Sequence, residues 1–264
     1  MDFTKMHGLG NDYIFLNCME STPGNLGELA RRLSQRRFGV GGDGIICVCP
    51  SDRADFKMRM FNADGSEGAM CGNGIRCFGK YVHDKGLTDK AHLVIETMSG
   101  DRELSLLIEN GRVEGAITEM GIPVIHPPVQ ISVKEKTYTA VPVSVGNPHA
   151  VMEVEDPDEL DIQAVGPAVE RHPLFPHRVN AEFIRVLNRG ELQLRVWERG
   201  SGETMACGTG ACASAAAMMA AGKLDREAAV HLAGGDLWVR WDEKSGQMFM
   251  TGPAVTVYDG KLAD

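Results

Sequence analysis

Two short segments hold the residues best suited to chemistry. Residues 71–77 read Cys-Gly-Asn-Gly-Ile-Arg-Cys, and residues 207–213 read Cys-Gly-Thr-Gly-Ala-Cys-Ala. In each, a cysteine closes a Gly-rich turn and a small or apolar run begins that reads as a helix start. The two segments lie about half the chain apart. Cys71 and Cys207 therefore look like equivalent residues of two similar halves, each half offering a thiol at a helix N-terminus.

An ordinary cysteine has a pKa near 8.5, which leaves only about 3% thiolate at pH 7. A helix N-terminus is expected to lower that value through its partial positive charge and its N–H groups. The same N–H groups bind carboxylates. Gly72, Gly74, Gly208 and Gly210 carry no Cβ, so a ligand can approach the backbone closely. Two such motifs facing each other could hold a 2-amino acid by its carboxylate with the α-carbon between the sulfurs. One thiolate would remove the α-proton and the other thiol would return a proton to the opposite face. That is epimerisation or racemisation without a cofactor, with the helix ends stabilising the developing negative charge.

The other five cysteines read differently. Cys77 and Cys212 suit buried positions on the two helices, and Cys18, Cys47 and Cys49 suit strands or core. There is no Cys-x-x-Cys pair and no Cys/His set with four-ligand spacing, so neither a metal nor a dithiol redox centre is expected.

The elements that must position the two thiols follow the same order in each half. In the first, a β-like stretch leads through Met6-His-Gly-Leu-Gly-Asn-Asp12 into a strand over 13–17. A helix over 26–37 has Leu29, Ala30 and Leu33 on one side, and Gly39-Val-Gly-Gly-Asp-Gly44 stops it before a strand over 45–48. A strand over 56–62, a turn at Asp64-Gly65 and a helix over 75–83 follow, then strands over 93–97, 102–109 and 113–118. In the second half, strands over 138–145 and 150–154 flank Gly146-Asn-Pro-His149. A helix over 161–171 precedes strands over 180–187 and 191–197. The second cysteine helix runs to about 221, with Gly222 as its C′ residue, and strands over 230–232, 236–241, 247–250 and 254–258 complete the chain. The expected fold is α+β: two pseudo-symmetric domains, each a curved, mostly antiparallel, barrel-like sheet around a central helix, with the active site in the interdomain cleft. The expected domains are 1–115, completed by 252–264, and 116–251.

Composition sets limits. Of the 264 residues 43% are hydrophobic and 24% charged, enough apolar material for real cores. A formal net charge of −9 argues against nucleic-acid binding, which needs a basic footprint. The N-terminus lacks a signal-peptide pattern and no apolar run reaches membrane-spanning length, so neither secretion nor membrane insertion is expected. Seven cysteines, an odd number, then favour reduced thiols in the cytoplasm.

Six ordered segments make the chain resemble the diaminopimelate epimerase family over essentially its whole length. They are Met6-His-Gly-Leu-Gly-Asn-Asp-Tyr13, Phe61-Asn-Ala-Asp-Gly-Ser-Glu67, Met70-Cys-Gly-Asn-Gly-Ile-Arg-Cys-Phe78, Gly146-Asn-Pro-His149, Val179-Asn-Ala181, and Trp197-Glu-Arg-Gly-Ser-Gly-Glu-Thr204 running into Ala206-Cys-Gly-Thr-Gly-Ala211. The resemblance implies interconversion of LL- and meso-2,6-diaminopimelate in lysine and peptidoglycan biosynthesis, with no pyridoxal phosphate, no metal, and a homodimer. It implies Cys71 and Cys207 as the acid–base pair. Gly72, Asn73, Gly208 and Thr209 would bind the reacting carboxylate through backbone N–H groups. Asn11, Asn62, Asn147, Asn180, Glu198 and Arg199 would bind the rest of the substrate, and His149 and Glu198 would tune the thiols. These types suit the task, since asparagine both donates and accepts and arginine adds a charged donor for a carboxylate.

Plainer readings exist for single residues. Asn62 and Asn147 could be turn residues, His149 a core histidine, and Glu198-Arg199 an ordinary ion pair. Gly44 departs from family members that carry a substrate-contacting glutamine there. Three rival functions also fit parts of the pattern. A proline or hydroxyproline racemase of the same fold would leave the distal-group residues little to do. An isomerase of the phenazine-biosynthesis type lacks the cysteine pair. A non-catalytic amino-acid-binding protein would not need the thiols.

Overall fold

The strand Gly44–Cys49 is buried at every position. In the computed structural model, which describes residues 1–263, this strand runs parallel to Asn11–Asn17 and antiparallel to Phe56–Asn62. Its side chains alternate between two apolar layers. Ile46 and Val48 join Phe15 in one cluster, whereas Ile45, Cys47 and Cys49 join Ile14 and Leu16 in another. A strand covered on both faces reads as a continuous apolar run.

Two helices supply those covers. Helix α1 (Leu26–Leu33) is capped by Asn25, whose side chain accepts from Glu28 N–H, and buries Leu26, Leu29, Ala30 and Leu33. It ends four residues short of the expected 26–37. The Gly41 and Gly42 N–H groups fold back onto the Leu33 and Ser34 carbonyls and take the place of the next helical turn. Helix α2 (Gly72–Asp84) occupies the other face, with Ile75, Cys77, Phe78, Tyr81 and Val82 in the core. It starts three residues before the expected 75, because the poor helix propensity of its glycines hides a first turn that Cys71 caps.

The chain divides into two units, Met1–Thr118 with the segment from Thr251, and Glu119–Met250. In the first, pairing runs through Val255–Lys261, Asp2–Gly8, Asn11–Asn17, Gly44–Cys49 and Phe56–Asn62 to His92–Thr97, Gly100–Glu109 and Arg112–Gly121. Helix α2 touches strands along this whole series, from Val255–Lys261 to Gly100–Glu109, so the sheet curves around it.

The second unit repeats the plan. Pairing runs through Val129–Val133, Lys136–Ser144, Pro148–Glu153, Asn180–Asn188, Glu191–Glu198, Glu227–Leu232 and Gly235–Trp241. Helix α3 (Ile162–Glu170) covers the outer face through Ile162, Val165 and Val169. Helix α4 (Gly208–Ala220) is buried on nearly every side, as a helix of small apolar residues enclosed by a sheet should be. Gly222 follows it with φ +71°, the left-handed conformation of a C′ glycine. The strand Val129–Val133 and the short strands Glu67–Gly68, Val124–Ile125 and Gly202–Thr204 were not expected; three of the four are too short to show a period.

The two units match in order and register. Hairpin, outer helix, parallel strand, antiparallel strand and cysteine-capped helix follow one another in both. Tyr13 pairs with Gly44, and Gly44 with Asn62. In the second unit His149 pairs with Asn180, and Ala181 with Trp197.

Candidate active site

Cys71 is the N-cap of α2, with extended backbone (φ −129°, ψ 121°) and its sulfur accepting from Gly74 N–H at 3.4 Å. Gly72 and Asn73 form the first turn, where helix N–H groups point out of the end. The Cys71 thiol donates to Asn11 Oδ1 at 3.1 Å. Asn11 is held by Asp43, whose Oδ2 accepts from Asn11 Nδ2 at 2.8 Å and from Asp12 N–H at 3.1 Å. Tyr13 brings a buried phenol against Cys71 and Asn11. Burial first, then the charge of a Cys71 thiolate, pushes that phenol well above its ordinary range. The Asn73 side chain accepts from the buried guanidinium of Arg76 at 2.9 Å, which ties the first turn of α2 to its own second turn.

Cys207 repeats this geometry at α4, with φ −126°, ψ 110° and its sulfur accepting from Gly210 N–H at 3.3 Å. Gly208 and Thr209 form the first turn, and Thr209 Oγ1 lies 3.5 Å from the sulfur. Asn147 Nδ2 donates to Thr209 Oγ1 at 3.3 Å, which turns Asn147 Oδ1 toward His149 Nε2 at 2.9 Å. The other ring nitrogen, Nδ1, lies 2.6 Å from Glu182 Oε1, and both of those side chains are fully buried. Glu198 accepts from Thr204 Oγ1 at 2.6 Å and lies beside Cys207.

The expectation that a helix N-terminus lowers the thiol pKa is corrected at Cys207. Burial, reinforced by the charges of Glu198 and Glu182, holds this thiol well above the ordinary cysteine range. The hydrogen bonds from Thr209 and Gly210 act in the opposite direction and are outweighed. Burial likewise raises the carboxyl groups of Glu198 and Glu182. The surroundings of Cys207 thus favour one protonated thiol beside groups that can exchange protons with it.

The residues singled out from the sequence fall into one group per unit. Cys71, Gly72, Asn73 and Asn11 are together in the first, and Cys207, Gly208, Thr209, Asn147, His149 and Glu198 in the second. Three have visible structural tasks. Asn62 Nδ2 donates to Ser66 Oγ at 3.0 Å within its own turn. Asn180 Oδ1 accepts from Arg199 N–H at 2.8 Å, so it fixes the backbone from which Arg199 projects. The Arg199 guanidinium donates to the His177 carbonyl at 3.1 Å and is solvent-exposed. Gly44 is fixed by close approach, since a Cβ there would meet the Phe61 carbonyl oxygen.

Tyr13, Asp43, Glu182 and Thr204 were not singled out. Glu182 alone left a signal: a carboxylate flanked by Ala181, Phe183 and Ile184 in a run that is buried at every position from 180 to 184.

A sequence profile described as diaminopimelate epimerase matches residues 3–125 and 141–257. The diaminopimelate epimerase of Acetivibrio thermocellus is 50% identical over 277 aligned positions, covering 99% of this chain and 98% of that one. Two solved structures share the fold at much lower identity. The Bacillus anthracis phenazine biosynthesis protein of the PhzF family superposes with a TM-score of 0.78 at 19% identity, covering 100% of this chain and 99% of that one. A probable proline racemase from Agrobacterium radiobacter does so with a TM-score of 0.75 at 18% identity, covering 99% and 92%.

Proposed function

The chain belongs to the diaminopimelate epimerase family, and we propose that it interconverts LL- and meso-2,6-diaminopimelate through Cys71 and Cys207, in lysine and peptidoglycan biosynthesis. The observation that carries this reading is the repeated cap: each cysteine ends a helix with its sulfur on the N–H three residues ahead. A sulfur and a set of anion donors are thereby presented together, twice, in one chain.

The reacting carboxylate is held by the N–H groups of Gly72, Asn73, Gly208 and Thr209. One thiolate takes the α-proton; the C–H electron pair spreads into the carboxylate as the S–H bond forms. The other thiol then gives its proton to the opposite face of the same carbon and becomes the thiolate. Fixed donors at the helix ends stabilise the charge on the carboxylate oxygens, where a site shielded from water strengthens them most. Asn11, Asn62, Asn147, Asn180, Glu198 and Arg199 read the remaining amino and carboxylate groups, and His149 and Glu198 adjust the thiols. No cofactor is needed, because the thiols carry both protons. The protein acts in the cytoplasm as a homodimer.

Purified, reduced protein incubated with LL-diaminopimelate should form the meso isomer until the two are near equal in free energy, as followed by chiral chromatography. L-Proline should remain unchanged. Racemisation of proline without turnover of diaminopimelate would replace the substrate while keeping the chemistry.

A further inference from the structure

The internal repeat exposes one residue that the first unit does without. Phe15 pairs with Ile46 in the first unit, two residues beyond the Tyr13–Gly44 pair. Val151 pairs with Glu182 in the second, two residues beyond His149–Asn180. Glu182 therefore stands where the first unit has Ile46. Both face the glycine three residues after the capping cysteine: a Cβ on Gly74 would lie 2.7 Å from Ile46 Cδ1, and one on Gly210 would lie 3.1 Å from Glu182 Oε1. An apolar side chain satisfies the packing in one unit. The other buries a carboxylate instead, and its Oε2 has no hydrogen-bond partner.

Burying a carboxylate in place of an isoleucine is costly, and packing alone does not require it. Its partner gives the reason. Glu182 Oε1 meets His149 Nδ1 at 2.6 Å, and His149 Nε2 meets Asn147 Oδ1 at 2.9 Å. The Asn147 amide is committed by its donation to Thr209 Oγ1, so its oxygen can only accept. His149 must then carry a hydrogen on Nε2. The proton between Nδ1 and Oε1 can rest on either atom without breaking this chain. The chain ends at the Thr209 hydroxyl, 3.5 Å from the Cys207 sulfur. The titratable groups that face the pair are Glu198 and Cys207.

We propose that Glu182 is a positioning residue for Cys207: it locks His149 into the orientation and Nε2–H tautomer that fix Asn147 and Thr209 against the thiol. The proposal rests on the epimerase reading for its kinetic consequence and on the buried hydrogen-bond chain for its structural content. A buried carboxylate that orients an imidazole is worth up to about four powers of ten in rate where the ring itself transfers the proton. Here the ring acts through two further residues, and the effect is correspondingly smaller.

The test uses the full-length protein, Glu182→Gln and Glu182→Met, the latter being apolar like the Ile46 counterpart. We expect kcat with LL-diaminopimelate to fall about 10- to 100-fold in both, with KM changed less than about threefold, and the pH profile of kcat to shift. Nitrogen NMR of histidine-labelled wild-type protein should show a hydrogen on His149 Nε2, and the variants should show mixed tautomers. Wild-type kcat, pH profile and tautomer in either folded variant would overturn the proposal, since the carboxylate would then be a packing element only. If both variants unfold, the wild-type spectrum still decides: His149 with a bare Nε2 overturns it. Wild-type protein that turns over no diaminopimelate would refute the substrate reading and leave the His149 measurement standing.

Discussion

The Cys71 thiol donates to Asn11 Oδ1 at 3.1 Å, and Asp43 sets that polarity by accepting from the other end of the same amide at 2.8 Å. With Asp43 ionised, Asn11 cannot turn its NH2 group toward the sulfur without losing a hydrogen bond to a charge. Such a bond is worth about 1.5–3 kcal/mol.

Replacing Asp43 by asparagine allows either orientation of Asn11. The expected result is a fall in kcat/KM of about tenfold, from a partial loss of that energy. Steady-state kinetics with LL-diaminopimelate checks it, and unchanged kcat/KM would mean that Asn11 is oriented by something else. Arg36 also binds Asp43, at 2.9 Å, so a small loss of thermal stability should accompany the change.

Cys207 offers a test by titration. Its thiol is raised by burial and then by the negative charges of Glu198 and Glu182. Glu198→Gln removes one of those charges, so the Cys207 midpoint should move to lower pH. Thiolate ultraviolet absorbance in a Cys71→Ser background, taken as the difference from the Cys71→Ser/Cys207→Ala protein so that the other five thiols cancel, measures this. The same shift has a consequence for stability. Folding raises the thiol, so its contribution is complete below the unfolded value of about 8.5 and is lost as pH rises through the folded value. Wild-type protein should therefore lose stability in alkaline solution more steeply than Cys207→Ala, as read from denaturant midpoints.

Gly210→Ala should separate activity from stability. A Cβ there would sit 3.1 Å from Glu182 Oε1 and 3.3 Å from the Cys207 sulfur. Those atoms must yield by a few tenths of an ångström. The helix gains about 1 kcal/mol from alanine over glycine, which offsets the strain. We expect near-unchanged unfolding free energy and a tenfold or greater fall in kcat. An active, stable variant would show that the position of the sulfur has slack.

The two cysteine caps were legible in the sequence, because caps and turns are local. Cys71 and Cys207 announce their helices through the glycines that follow them, and Gly222 announces the end of α4. The α+β character was legible for a similar reason, since short apolar runs between Gly-rich turns have few other solutions. What stayed hidden depends on long-range pairing. Asp43 gains its meaning from Asn11 and Glu182 from His149, partners that lie 32 and 33 residues away in the chain. The expected helix runs on to residue 37 for the same reason, because the fold-back of Gly41 and Gly42 onto Leu33 and Ser34 ends α1. The low position expected for the Cys207 thiol failed because burial is a tertiary quantity that a local motif does not report.

The most direct test of the two-thiol account is α-proton exchange in deuterium oxide, followed by NMR with LL-diaminopimelate. Wild-type protein should place deuterium on the α-carbon as the meso isomer forms, and both Cys71→Ala and Cys207→Ala should lose isomer formation. Epimerisation that survives in either variant would contradict a mechanism in which each sulfur serves one face of the same carbon.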